Sequence, residues 1–225
     1  MPRSHLALRA HAAVFSFYPV CSISQRYLLS IDMDKKQKKL WRQLIDEYGR
    51  RNVASTIELA KRYLDLYPKD GAAWIVIGDM YIDIAKYDDA LDAIRNAKKY
   101  AHKKRLDMVY SQYGELYRAK GNYKVAEKWF RKAVEYNPTN TGNHIFLGAL
   151  LAKMGRFDEA KKCHKEAVRL KTDTWDEAHH NLGLIYRAEG KYKTALKHFD
   201  KAIEIDPNYS SAIEERSDVL NAINI

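Results

Sequence analysis

The chain has little of what staples or breaks a fold. Only two cysteines occur in 225 residues, Cys21 in an atypical N-terminal stretch and Cys163 inside a predicted helix, so a disulfide framework is excluded. That usage suits a reducing compartment without requiring one. Five prolines and ten glycines leave long stretches of Ala, Leu, Lys, Glu and Arg after residue 33, which favours helix, and runs of strand character are absent. No apolar run approaches the length of a membrane span. Nor is there a phosphate-cradling loop ending in Lys-Ser or Lys-Thr, a Gly-x-Ser-x-Gly elbow, a His-Glu-x-x-His pair or a zinc spacing among the histidines. No catalytic, cofactor-binding or metal-ligating residue is therefore expected, and the chain does not read as an enzyme.

Acidic residues are missing from the first 31 positions, which hold three arginines, five serines and two histidines around a short apolar stretch, Ala12 to Tyr18. Residues 1–40 carry seven basic and two acidic groups, half of the net charge of +10, and the remaining 185 residues carry the other half. Three readings of residues 1–32 stay open. An Arg- and Ser-rich, acid-poor segment has the composition of a mitochondrial presequence; Ser22-Ile23-Ser24 offers a weak secretory cleavage site; or translation starts at Met33, giving a cytoplasmic protein. Residues 1–33 are accordingly set apart as an extension, and 34–225 as the folded domain.

Glycines organise that domain. Gly78, Gly114, Gly148 and Gly183 are 36, 34 and 35 residues apart, and Gly121, Gly155 and Gly190 each follow seven residues after the last three, with Ala85 in the same slot one unit earlier. Around these anchors the residue types repeat. The second unit has Trp74, Ile77, Gly78, Tyr81, Ala90, Ile94 and Ala97; the third has Tyr110, Tyr113, Gly114, Tyr117, Ala126, Phe130, Ala133 and Pro138. The fourth has His144, Leu147, Gly148, Leu151, Ala160, His164 and Ala167, and the fifth His179, Leu182, Gly183, Tyr186, Ala195, Phe199, Ala202 and Pro207. A degenerate first unit keeps Trp41, Leu44, Tyr48, Ala60 and Pro68, with its internal turn reading about one residue short.

This pattern resembles the tetratricopeptide repeat. The apolar slots at three- and four-residue spacing give each helix a buried stripe, a small residue lets paired helices approach, and the second glycine ends the first helix in a left-handed conformation. Asp88-Asp89 and Asp158-Glu159 suit the starts of second helices, where negative charge meets the helix dipole, and Pro68, Pro138 and Pro207 close them. The expectation is an all-α, right-handed superhelical solenoid of five helix-turn-helix repeats at about 37–70, 71–106, 107–140, 141–175 and 176–209. A capping helix at about 209–222 should bury Tyr209, Ala212, Ile213, Val219 and Leu220 and turn Glu214, Glu215, Arg216 and Asp218 to water.

The resemblance implies that first helices line a concave surface on which a peptide or helix of a partner protein docks. Exposed groove positions are then Asp79, Gln112, Glu115, Arg118, Phe146, His180, Asn181 and Arg187. Asn181 can hold a peptide backbone and Arg187 a carboxylate with two parallel bonds. The carboxylate clamp that chaperone-binding members use for Hsp70 and Hsp90 tails is not matched, since its places hold Ile75 and Asp79, Ser111 and Glu115, or Ile145 and Ala149. Lys98, Lys99, Lys103, Lys104 and Arg105, with His102 among them, read as cations at a helix end rather than a nucleic-acid surface, because only Tyr100 accompanies them as an aromatic. The expected function is an adaptor or scaffold binding a protein partner, with an architectural subunit of a homo- or hetero-oligomer as the alternative.

Overall fold

The computed structural model describes residues 33–170 and 175–223, and the readings made for residues 1–32 lie outside them. The described residues contain eleven α-helices and one 3-10 turn, and no strand. They fall into two compact units, which divide between residues 137 and 138.

The unit at 33–137 holds three helix pairs: α1 Lys35–Gly49 with α2 Val53–Leu66, α3 Gly71–Asp83 with α4 Tyr87–Tyr100, and α5 Leu106–Ala119 with α6 Tyr123–Tyr136. Met33, assigned above to the extension, is buried with the first core cluster. Helix starts are set by side-chain caps: Asp34, Asn52, Asp70 and Asn122 each accept a backbone N–H from the first turn of the helix that follows. Each turn within a pair passes through one left-handed residue, Arg51, Ala85 or Gly121. Glycine takes that conformation without strain, and Arg51 and Ala85 adopt it at some cost.

The position of Arg51 corrects the reading of the first repeat. Its turn is not short: Arg51 precedes Pro68 by 17 residues, as Gly121 precedes Pro138. Counting from it, Leu44 takes the slot of Gly78 and Gly114, Thr56 that of Ala90 and Ala126, Ala60 that of Ile94 and Phe130, and Tyr63 that of Ala97 and Ala133. The large and small positions are thus exchanged. A Cβ on Gly114 would sit 2.5 Å from the Phe130 ring, so a large second-helix residue demands glycine opposite; with Ala60 there instead, Leu44 fills the space, and both are fully buried. Tyr63 is also fully buried, and its hydroxyl donates to Asp70 Oδ2 at 2.7 Å and accepts from Gln37 Nε2 at 3.0 Å.

The unit beyond residue 137 holds α7 Thr141–Lys153 with α8 Phe157–Leu170, α9 Trp175–Ala188 with α10 Tyr192–Ile205, and α11 Ser210–Ile223. Its cores repeat the glycine–aromatic approach, with Phe199 against Gly183 and the His164 ring against Gly148. His144 stands where Trp74 stands in the second repeat, and it does the same job. Trp74 Nε1 donates to the carbonyl of Pro68 at 2.8 Å, and His144 Nε2 reaches the carbonyl of Pro138, also six residues earlier, at 2.8 Å. Helix α11 buries Ala212 and Val219 but leaves Ile213 44% exposed, against expectation. Glu215, expected in water, turns inward to pair with Arg187.

Candidate functional site

Burial decides how the first-helix surfaces can work. The groove positions chosen from sequence were expected to be exposed, yet Asp79, Gln112, Glu115, His180, Asn181 and Arg187 are all under 10% exposed, and Phe146 is partly buried. A first helix packs against its own second helix and also against the first helices beside it, so little of its circumference is left for solvent. Helix α3 shows this most clearly, with ten of its thirteen residues buried.

In the unit at 33–137 the buried polar groups join three first helices into one layer. The Tyr48 hydroxyl of α1 donates to Asp79 Oδ2 of α3 at 2.8 Å. Gln112 Nε2 of α5 donates to Asp79 Oδ1 at 2.8 Å and to the Ile75 carbonyl at 2.6 Å. Burial pushes the Asp79 carboxyl up to about 7, against the lowering effect of these two donors. Gly78 makes the approach of Gln112 feasible, because a Cβ there would lie 2.8 Å from its Nε2.

At the margin of this layer the charges are less deeply placed and are matched in sign. Arg118 grips Glu115 of its own helix through Nε and Nη2, the latter at 2.6 Å, with 22% of its side chain exposed. The Asp83 side chain, 21% exposed, lies 3.8 Å from Arg51, and burial, helped by the nearby Glu115, raises its pKa against the lowering effect of Arg51 and Arg118.

In the second unit the helix pairs carry bases. Arg187, proposed above to meet a partner's carboxylate, is held by Glu215 of α11, and the pair ties α9 to the cap. His180 is buried against Phe199 and Tyr209, with the Tyr209 hydroxyl 3.4 Å from its Nδ1, and burial lowers its pKa to about 4. His179 and His198 meet through their Nδ1 atoms at 3.1 Å, and burial lowers both. His164 is fully buried, neither ring nitrogen has a partner, and desolvation brings its pKa to about 3. Among the described residues no group of three or more His, Cys, Asp and Glu is placed to hold a metal ion, and no helix is long and apolar enough to cross a membrane.

Helix pairs with left-handed turns, glycine–aromatic crossings and joined first helices define an α-hairpin repeat protein. Family models described as tetratricopeptide repeat match residues 105–173 and 176–209. The human cell division cycle protein 16 homolog is 26% identical over 174 residues, 74% of this chain and 27% of that protein. The chain therefore spans about a quarter of the length of this curated relative. Among solved structures, a thermophilic TPR protein of Thermus thermophilus matches with a TM-score of 0.72 at 22% identity, covering 82% of this chain and 98% of that one. A chain of the APC/C hetero-tetramer Cut9–Hcn1 matches with a TM-score of 0.69 at 18% identity, covering 98% of this chain and 42% of that one. Identities this low show the fold alone. Residues 105–173 and 176–209 are thus matched by tetratricopeptide repeat models, and the chain has the fold of a tetratricopeptide repeat protein.

Proposed function

We propose that the chain is an adaptor whose first-helix face receives a peptide or helix of a partner protein. The observation that supports this is the layer joined by Tyr48, Asp79 and Gln112. A surface locked by its own hydrogen bonds needs no ordering when a ligand arrives, which lowers the cost of binding. The contacts then fall to the partly exposed margin, Asp83, Arg51 and Arg118, rather than to the buried floor. A carboxylate-terminated tail of the Hsp70 or Hsp90 kind fits poorly, because Asp79 and Glu115 stand where its clamp requires cations or amides, and Arg187 is already closed by Glu215.

Affinity capture from native lysate with the full chain, against an Asp83→Lys, Arg118→Glu variant of unchanged helicity, tests this reading. The specific partner should bind the variant weaker by about 1.5–3 kcal/mol, roughly tenfold or more. Return of the same proteins with both baits, or only of further copies of the chain, rules the groove out. The architectural alternative then stands; it is supported by the likeness to a chain of a hetero-tetramer.

A further inference from the structure

The basic run at Lys98–Arg105 is more than a set of cations at a helix end. Helix α4 stops at Tyr100, and Lys103–Arg105 form a separate 3-10 turn capped by His102, whose Nδ1 accepts the Lys104 N–H at 3.2 Å. That turn is pinned from a distant helix: the Tyr136 hydroxyl, at the end of α6, donates to the Lys103 carbonyl at 2.8 Å. Tyr136 stands edge-on to Tyr110 at 5.6 Å; Trp129 stacks on Tyr110 at 5.9 Å and on Tyr113 at 4.4 Å. Lys132, one turn before Tyr136, brings its Nζ to 4.6 Å from the Tyr110 ring centre and 5.4 Å from that of Trp129. An aromatic stack thus fixes cations from the linker and from α6 on one surface.

Two of the acids near it are engaged elsewhere. Asp107 is buried and accepts from Asn137 Nδ2 at 3.0 Å, and Asp70 accepts from the Tyr63 hydroxyl. Lys99, Lys103, Lys104 and Lys132 are exposed and form no ion pair among the described residues.

We propose that Lys103, Lys104 and Lys132, set around Tyr136, form a second docking site, apart from the first-helix face, for an acidic segment of a partner protein. Carboxylates at irregular spacing suit mobile ammonium groups, which act as point charges without the planar demands of a guanidinium. Nucleic acid suits the surface less well. Tyr110 and Tyr113 are buried and Trp129 is partly buried, so Tyr136, 43% exposed, is the one open face of the stack where bases would need a row of them.

Fluorescence anisotropy with the full chain and a labelled oligo-glutamate peptide tests the site at low and physiological salt. Binding should weaken as salt rises, and Lys103→Glu, Lys104→Glu, Lys132→Glu together should reduce affinity on the order of tenfold or more. A charge-matched control, Lys162→Glu, Lys193→Glu, Lys197→Glu, should bind like the wild type, as should the Asp83→Lys, Arg118→Glu groove variant. Tyr136→Phe, which keeps every charge but frees the turn, should lose part of the affinity. The proposal fails if the wild type does not bind, if the control loses as much as the patch variant, or if an oligothymidine displaces the peptide at lower concentration than unlabelled oligo-glutamate.

Discussion

His164→Phe should stabilise the unit beyond residue 137, and by an amount that grows as pH falls. His164 occupies the slot of Phe130 and Phe199, is fully buried, and leaves both ring nitrogens without partners. A phenyl ring meets glycine there as it does in the third and fifth repeats: the closest approach of a Cβ would be 2.7 Å at Gly148 and 2.5 Å at Gly114 and Gly183. Removing a desolvated, unsatisfied polar group at neutral pH is worth about 1–3 kcal/mol. Protonation adds a second contribution. The unfolded chain takes up a proton on this residue near 6.5, whereas the folded state does so only at about 3, because burial and the neighbouring His180 and His144 disfavour the cation. The stability tied to neutral His164 is therefore complete above pH 6.5 and is lost progressively as pH falls toward 3. Between pH 6.5 and pH 5 that loss is about 2 kcal/mol, at 1.36 kcal/mol per unit. Urea unfolding followed by circular dichroism should show the variant ahead by about 1–3 kcal/mol at pH 7 and about 3–5 kcal/mol at pH 5. A gap that stays constant with pH, or a variant no more stable than wild type, would refute the reasoning.

Asp79→Asn acts in the opposite pH sense. Its folded pKa of about 7 lies above the ordinary 3.8, so the stability it contributes is full below pH 3.8, falls by up to roughly 1.4 kcal/mol per unit as pH rises toward 7, and is gone above that; the asparagine variant should lose that slope in melts from pH 5 to pH 7. Gly114→Leu should drive α5 from α6, because even its Cβ would meet the Phe130 ring at 2.5 Å; a loss of at least about 3 kcal/mol in urea unfolding is expected, and an unchanged midpoint would contradict the packing. Glu215→Ala leaves the Arg187 guanidinium buried without its partner and should cost about 3–5 kcal/mol, while Arg187→Met with Glu215→Leu should recover most of it. Hydrogen exchange in α11 reads that difference directly.

The repeat was legible because its main signals are local: glycine opposite a large residue, glycine after the first helix, proline after the second. The first repeat was misaligned where those signals vanish together, since Leu44, Ala60 and Tyr63 invert the usual volumes. The 17-residue interval from Arg51 to Pro68 and the cap at Asn52, matching Asn122, would have restored it. The burial of the groove was missed for a different reason. Helical periodicity identifies the face that meets a helix's own partner, but not the face that meets the next repeat. Asp79 and Gln112 look solvated on a helical wheel and are in fact bonded across α3 and α5. The nearly unbroken apolar run of α3, Ala72 to Ile77, was the available hint. The aromatic support of the basic run was illegible in principle, because it comes from α6, some thirty residues later.

That the groove arginines are already paired bears on how a partner would be recognised. A partner carboxylate reaching for Arg187 must displace Glu215, which exchanges one ion pair for another and strands a largely buried acid. At Arg118 the same exchange would leave the buried Glu115 without its cation. Neither exchange yields much net free energy. Recognition on the first-helix face should then depend mainly on shape, and so respond weakly to salt, with the partly exposed Asp83–Arg51 margin adding only a small salt-dependent share. The lysines around Tyr136 form no ion pair among the described residues that a partner would have to displace, and their contribution should fall steeply with ionic strength. A single partner that used both surfaces would show a salt-dependent share of its affinity that disappears in the Lys103→Glu, Lys104→Glu, Lys132→Glu variant and a salt-resistant share that remains.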